Sequence, residues 1–87
     1  MPLIKDQEKE MRERILSALN REMPEVDFEA SDTMVDDGII DSLTITGMIS
    51  ALSMEFGINI PYEEINEENF NSLEALEKMI ERIQKNA

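Results

Sequence analysis

The chain of 87 residues contains no cysteine, no histidine and no tryptophan, and only three glycines and three prolines. Without cysteine there are no disulfides, no thiolate metal sites and no native reactive thiol. Without histidine the commonest acid and base at neutral pH is missing. Any thiol chemistry has to be imported. Basic residues are scarce too: eight against twenty acids leave a formal charge of -12. Such a charge repels phosphate backbones and anionic headgroups, so neither nucleic acid nor membrane is expected as a partner. It would draw in proteins with basic docking patches, or it simply keeps a small domain dissolved. No apolar run approaches the roughly 18 residues of a transmembrane helix. Met1-Pro2-Leu3-Ile4-Lys5-Asp6 lacks the apolar centre of a signal peptide, so a cytoplasmic protein is expected.

Residues 1–87 read as one domain. A chain this short buries only about 60 to 65% of its unfolded surface, which leaves a small core and no room for a separate catalytic domain.

Four helices are expected, at about 4–22, 42–56, 62–66 and 72–85. In the first, Ile4, Met11, Ile15, Ala18 and Leu19 share one side of a wheel stepping 100° per residue, and Pro24 ends the pattern. Glu8, Lys9, Glu10, Arg12, Glu13 and Arg14 read as a solvated face. From Met23 to Ile40 there is no sustained period, and the segment reads as a long loop with room for a short helical turn. Val26, Phe28, Met34, Ile39 and Ile40 are its candidate anchors. Its acids do not fit a calcium loop: counted from Asp32, the third position is Met34, and the sixth is Asp37 where glycine is required. No metal site is expected.

Asp41 caps the second helix, whose core stripe is Ile45, Met48, Ile49, Leu52 and Phe56. Leu43, Gly47, Ser50 and Met54 lie opposite, as a flat docking strip or as ordinary scattered surface residues. Gly57 suits a left-handed helix end, and Ile58-Asn59-Ile60-Pro61 anchors the connection rather than forming a strand. Pro61 opens the short third helix, Phe70 returns to the core, and Ser72 caps the fourth helix. The fourth helix buries Leu73, Leu76, Met79, Ile80 and Ile83, with Glu74 to Lys78 and Glu81 to Lys85 spaced as ion pairs.

Ser42 therefore stands at the first turn of a helix. A serine nucleophile needs a base within hydrogen-bond reach, and Lys5, Lys9, Lys78 and Lys85 all lie in the terminal thirds. No catalytic residue is expected. A hydroxyl at a helix start is instead well placed to hold an anion against free backbone N–H groups, and a phosphodiester grafted onto Ser42 would fit there.

The order of these motifs is informative. Asp41-Ser42-Leu43 is preceded by Asp37-Gly38-Ile39-Ile40, followed by a helix ending in Glu55-Phe56-Gly57, then by Ile58-Asn59-Ile60-Pro61 and later by Phe70-Asn71-Ser72-Leu73. From helix one through Ile83 the chain resembles an acyl or peptidyl carrier protein of the phosphopantetheine-dependent kind, of the free-standing type. The resemblance implies an all-α four-helix bundle with a long loop between helices one and two and a short third helix. It also implies that a dedicated transferase attaches 4'-phosphopantetheine, taken from coenzyme A, to Ser42. The arm then carries an acyl or aminoacyl group as a thioester between a loading enzyme and a downstream synthase or transferase.

By the same resemblance, Asp41 contributes to the transferase's magnesium-containing site and Leu43 contacts partners. The docking set is then Asp41, Leu43, Gly47, Ser50 and Met54, on a monomer that is not itself an enzyme. Fatty-acid carriers usually bear acids along the exposed part of helix two, whereas here that helix has Thr44, Gly47 and Met54, with Glu55 its one acid beyond Asp41. The segment from Ile65 to Phe70 is also longer than in the common fatty-acid type. Both departures imply a dedicated pathway carrier. The alternatives are an aminoacyl or peptidyl carrier of a nonribosomal or amino-acid-loading system, and a non-covalent acidic interaction module whose serine is never modified.

Overall fold

The computed structural model describes residues 3–86, with side chains from residue 10 onward. The helices are α1 (Leu3–Glu22), α2 (Ser42–Phe56), α3 (Glu67–Phe70) and α4 (Leu73–Lys85), with no strand among the described residues. The architecture is the all-helical bundle expected of the acyl-carrier type, with α1 packed on both α2 and α4, and α3 packed on α4.

In α1, Ile15, Ala18 and Leu19 are buried and Met11 is partly buried, while Ile4 lies outside the described side chains. The charged face of α1 is less passive than expected. Arg12 donates to the buried carboxylate of Glu77 on α4 at 2.6 Å, and Arg14 donates to Glu55 on α2 at 2.9 Å. The Arg14 guanidinium also lies 4.4 Å from the centre of the Phe56 ring, a cation–π distance. These long side chains tie α1 to both of its neighbours because their stems lie along the bundle while their heads reach carboxylates. Glu8 and Lys9 carry side chains outside the described set.

Between α1 and α2 the chain makes turns and no helix. Phe28, Met34 and Ile40 are almost fully buried, and Val26 and Ile39 pack partly against the same core. Each fully buried anchor is worth about 1.5 to 3 kcal/mol, which helps to offset the entropy of ordering the segment. Within the loop the Met34 carbonyl accepts from Ile39 and Ile40 N–H at 2.9 and 3.1 Å, and across the fold Met34 N–H donates to the Asn71 carbonyl at 2.9 Å.

The core stripe of α2 is centred on Met48, Ala51 and Leu52, which are buried, with Ile45, Ile49 and Phe56 at its margins. Gly57 closes the helix at φ 61°, a left-handed backbone that glycine adopts without strain, and its N–H donates to the Ser53 carbonyl. Ile60 then enters the core in an extended connection.

The short third helix lies further along than the sequence reading placed it. Residues Tyr62–Glu64 form only one 3₁₀ turn, and the α-helical turn is Glu67–Phe70. The reason is the cap: Pro61 offers no side-chain acceptor, whereas Asn66 accepts from Asn69 N–H at 2.9 Å, and Glu67 and Glu68 follow in the first turn. In α4, Ser72 accepts from Ala75 N–H at 3.1 Å and Leu76, Met79 and Ile80 are buried. Glu74 pairs with Lys78 at 3.2 Å, but Glu81 and Lys85 do not pair. Arg82 instead reaches Glu64 at 2.7 Å and Asn69 at 3.1 Å, fixing the segment before α3 against α4.

Candidate functional site

The polypeptide reaches α2 through a turn held by its own side chains. Asp37 accepts hydrogen bonds from the Ser31 hydroxyl at 2.8 Å and the Thr33 hydroxyl at 2.9 Å, and these hold its carboxyl below the usual aspartate range, Ser31 contributing most. Gly38 follows at φ 77°, where a side chain would be strained. Ile40 then plunges into the core, and Asp41 is left extended and exposed immediately outside the bundle.

Asp41 is the N-cap. One oxygen, Oδ1, accepts from Thr44 N–H at 2.8 Å and from the Thr44 hydroxyl at 2.9 Å. Both bonds favour the charged form, the backbone one most, and lower the carboxyl below its ordinary value. A carboxylate so stabilised is a poor proton acceptor for the neighbouring hydroxyl. Ser42, the first residue of α2, is exposed, and the first turn of the helix carries no acid. An anion attached there meets the positive end of the helix dipole.

Beyond Ser42, α2 presents Leu43 at 81% exposure and Met54 at 79%, with Thr46 and Ser50 exposed between them. Gly47 does not share this open strip as the sequence reading supposed. A side-chain carbon at Gly47 would lie 3.0 Å from Met23 Sδ, so the glycine is the seat on which Met23, just past the end of α1, closes over α2. The one acid on α2, Glu55, accepts from Arg14 at 2.9 Å and Arg21 at 3.4 Å, and these guanidinium groups, Arg14 first, hold its carboxyl below the usual range. Its charge is answered from within the chain, and the outward face of α2 is effectively neutral. A third exposed apolar side chain, Tyr62 at 87%, stands on the 3₁₀ turn.

Three residues that shape the site escaped the sequence reading. Thr44 completes the cap, and a hydroxyl three positions after an aspartate cap was the available signal. Met23 covers Gly47, and no periodicity marks that contact. Asn71 holds Met34–Asp36 through its carbonyl and its side-chain oxygen, a pairing between distant segments that only the fold displays.

The helical bundle thus presents an exposed serine at the head of a helix whose outward face is effectively neutral. The family model described as the phosphopantetheine attachment site matches residues 9–80, and the chain belongs to that family of carrier proteins. No curated protein and no solved structure matches the chain. The prosthetic group of the family is covalently attached 4'-phosphopantetheine, and carrier domains of this kind, generally non-catalytic, work with a phosphopantetheinyl transferase and with partner enzymes. The residues present fit that group: an accessible hydroxyl, a helix N-terminus for the phosphate, and an adjoining uncharged surface.

Proposed function

We propose that Ser42 is the attachment point of the arm and that the chain serves a dedicated biosynthetic pathway as an acyl carrier. The observation that carries this reading is the exposed hydroxyl at the first residue of α2, directly after the Asp41 cap, in a chain of the carrier family that lacks cysteine and histidine. When bound, the group supplies the thiol on which an acyl or aminoacyl cargo is held as a thioester. The protein's own part is to fix Ser42 at the mouth of the bundle, to oppose the phosphodiester charge with the α2 dipole, and to present a grip to other catalysts. The chain itself contributes no turnover.

Asp41, Leu43, Ser50 and Met54 form the docking set in this reading, with Gly47 acting beneath it as the seat of Met23. Partners are the transferase, a loading enzyme and a downstream synthase or transferase. The absence of free acid on α2 favours partners that meet it through apolar contact, as an aminoacyl or peptidyl carrier would require equally well.

The test is incubation with coenzyme A, magnesium and a broad-specificity transferase, followed by intact mass. One phosphopantetheine should be added, and Ser42→Ala should abolish the adduct while retaining the helical circular dichroism. Failure of several such transferases to modify the native chain, together with unmodified protein isolated from its own host, would instead describe a non-covalent interaction module.

A further inference from the structure

Loading Ser42 forms a bond between its Oγ and the phosphorus that bears pantetheine, and breaks the pyrophosphate P–O bond of coenzyme A. The adenosine bisphosphate leaves, and the serine proton passes to a base of the transferase. The approaching pyrophosphate is strongly anionic, and the residue beside the attacking hydroxyl is itself a carboxylate. Two anions within a few ångströms repel each other unless a cation lies between them, which is the general role of divalent metal in phosphoryl transfer. Asp41 therefore has to offer an oxygen to that cation in a fixed direction.

We propose that Thr44 is a positioning residue for this reaction: by placing two hydrogen bonds on Asp41 Oδ1 it holds the carboxylate in one orientation and keeps Oδ2 for the cation. The backbone N–H of Thr44, at 2.8 Å, gives Oδ1 one anchor. The hydroxyl, at 2.9 Å to the same oxygen, gives it a second from another direction. The two close hydrogen bonds to this carboxylate both fall on Oδ1, and the backbone N–H groups of Leu43 and Asp41 add only weaker support to its charged form. Thr44 is itself half-buried on the first turn of α2. Fixing a ligand through its neighbour is how a supporting shell raises the occupancy of a metal contact without touching the metal.

This inference rests on the reading that Ser42 is loaded, and the experiment separates the two. Initial loading rates on the full chain are measured against magnesium concentration for the native protein, Thr44→Val, Thr44→Ser and Ser72→Ala. Thr44→Val keeps the N–H and the side-chain shape but loses the hydroxyl. It should raise the magnesium concentration at half-maximal rate and lower kcat/KM by about tenfold, the scale of one hydrogen bond to a charged group. Thr44→Ser restores the hydroxyl and should recover most of the rate. Ser72→Ala removes a comparable cap from α4 and should load like the native chain, which separates positioning from loss of stability. A Thr44→Val protein with native magnesium dependence overturns the proposal, as does an equal deficit in Ser72→Ala. If the native chain is not loaded at all, the attachment reading falls and takes this one with it.

Discussion

Val35 donates its backbone N–H to the side-chain oxygen of Asn71 at 2.8 Å, joining positions 36 apart in sequence. The same amide oxygen accepts from Asp36 N–H at 3.3 Å, and the Asn71 carbonyl takes Met34 N–H at 2.9 Å. One asparagine between α3 and α4 thus satisfies three consecutive backbone donors of the segment that leads to Ser42.

Replacing that side chain leaves two of the donors without their protein acceptor. Asn71→Ala should lower stability by about 1 to 3 kcal/mol, the cost of losing such partners in a partly buried setting. Urea unfolding measures the loss, and amide exchange should quicken at Val35, Asp36, Ile39 and Ile40 while α1 keeps its protection.

Among the described residues Glu77 is the one charged residue in the core, 8% exposed, and its partner Arg12 lies half in solvent. Arg12→Ala leaves a carboxylate buried without its counter-charge and should cost about 3 kcal/mol, whereas the matched Arg12→Ala/Glu77→Leu pair should recover much of that. Chemical denaturation of the single and double variants decides it. Equal losses for both would show that the pair contributes through packing alone.

Asp41 is ionised more readily in the folded chain than its ordinary value of 3.8, chiefly through the Thr44 N–H and then the Thr44 hydroxyl. A carboxyl lowered on folding adds stability that is fully present above the unfolded value and is lost as pH falls through the folded one. The melting-temperature gap between the native chain and Asp41→Asn should therefore be widest at neutral pH. It should begin to close as pH falls towards the ordinary value of 3.8 and vanish under more acid conditions. A gap that already narrows between pH 7 and 5 would contradict the cap assignment.

Leu43 and Met54 can be truncated without disturbing the core, since both stand in solvent. Leu43→Ala and Met54→Ala should shift stability by no more than about 0.5 kcal/mol. Each should weaken engagement by a loading enzyme by about tenfold, the scale of one apolar side chain returned to water. Because Glu55 is answered by Arg14 and Arg21, association through this face should vary little with salt. Kinetics of loaded variants at low and high ionic strength check both statements.

Much of the architecture was legible because its signals are local. The stripe Ile45, Met48, Ile49, Leu52 and Phe56 has helical spacing, Asp41 and Ser72 are caps by residue type, and Gly57 is a helix stop, all readable without knowing the fold. Pro61 does open a short helix, the 3₁₀ turn Tyr62–Glu64, but the α-helical turn after it at Glu67–Phe70 is not expected, because its signal, Asn66 before Glu67 and Glu68, lies in the cap rather than in any apolar spacing. Gly47 was assigned to an open strip by its angle on a helical wheel. A wheel cannot know that Met23, just past the end of α1, crowds that angle. Arg12, Arg14 and Asn71 share the same difficulty: each acts across the bundle on a residue dozens of positions away, and charge patterning along one helix says nothing of what lies opposite.

Tyr62 is the sole tyrosine in a chain without tryptophan, and it projects from the 3₁₀ turn with 87% of its surface open. The molecule thus carries a single built-in fluorophore, and it reports from the rim rather than the interior. Any visitor that settles over that turn will change its emission without a dye or tag. Where the visitor is an enzyme with tryptophans of its own, its emission has to be subtracted, and a catalyst that grips elsewhere then leaves the residual signal unchanged.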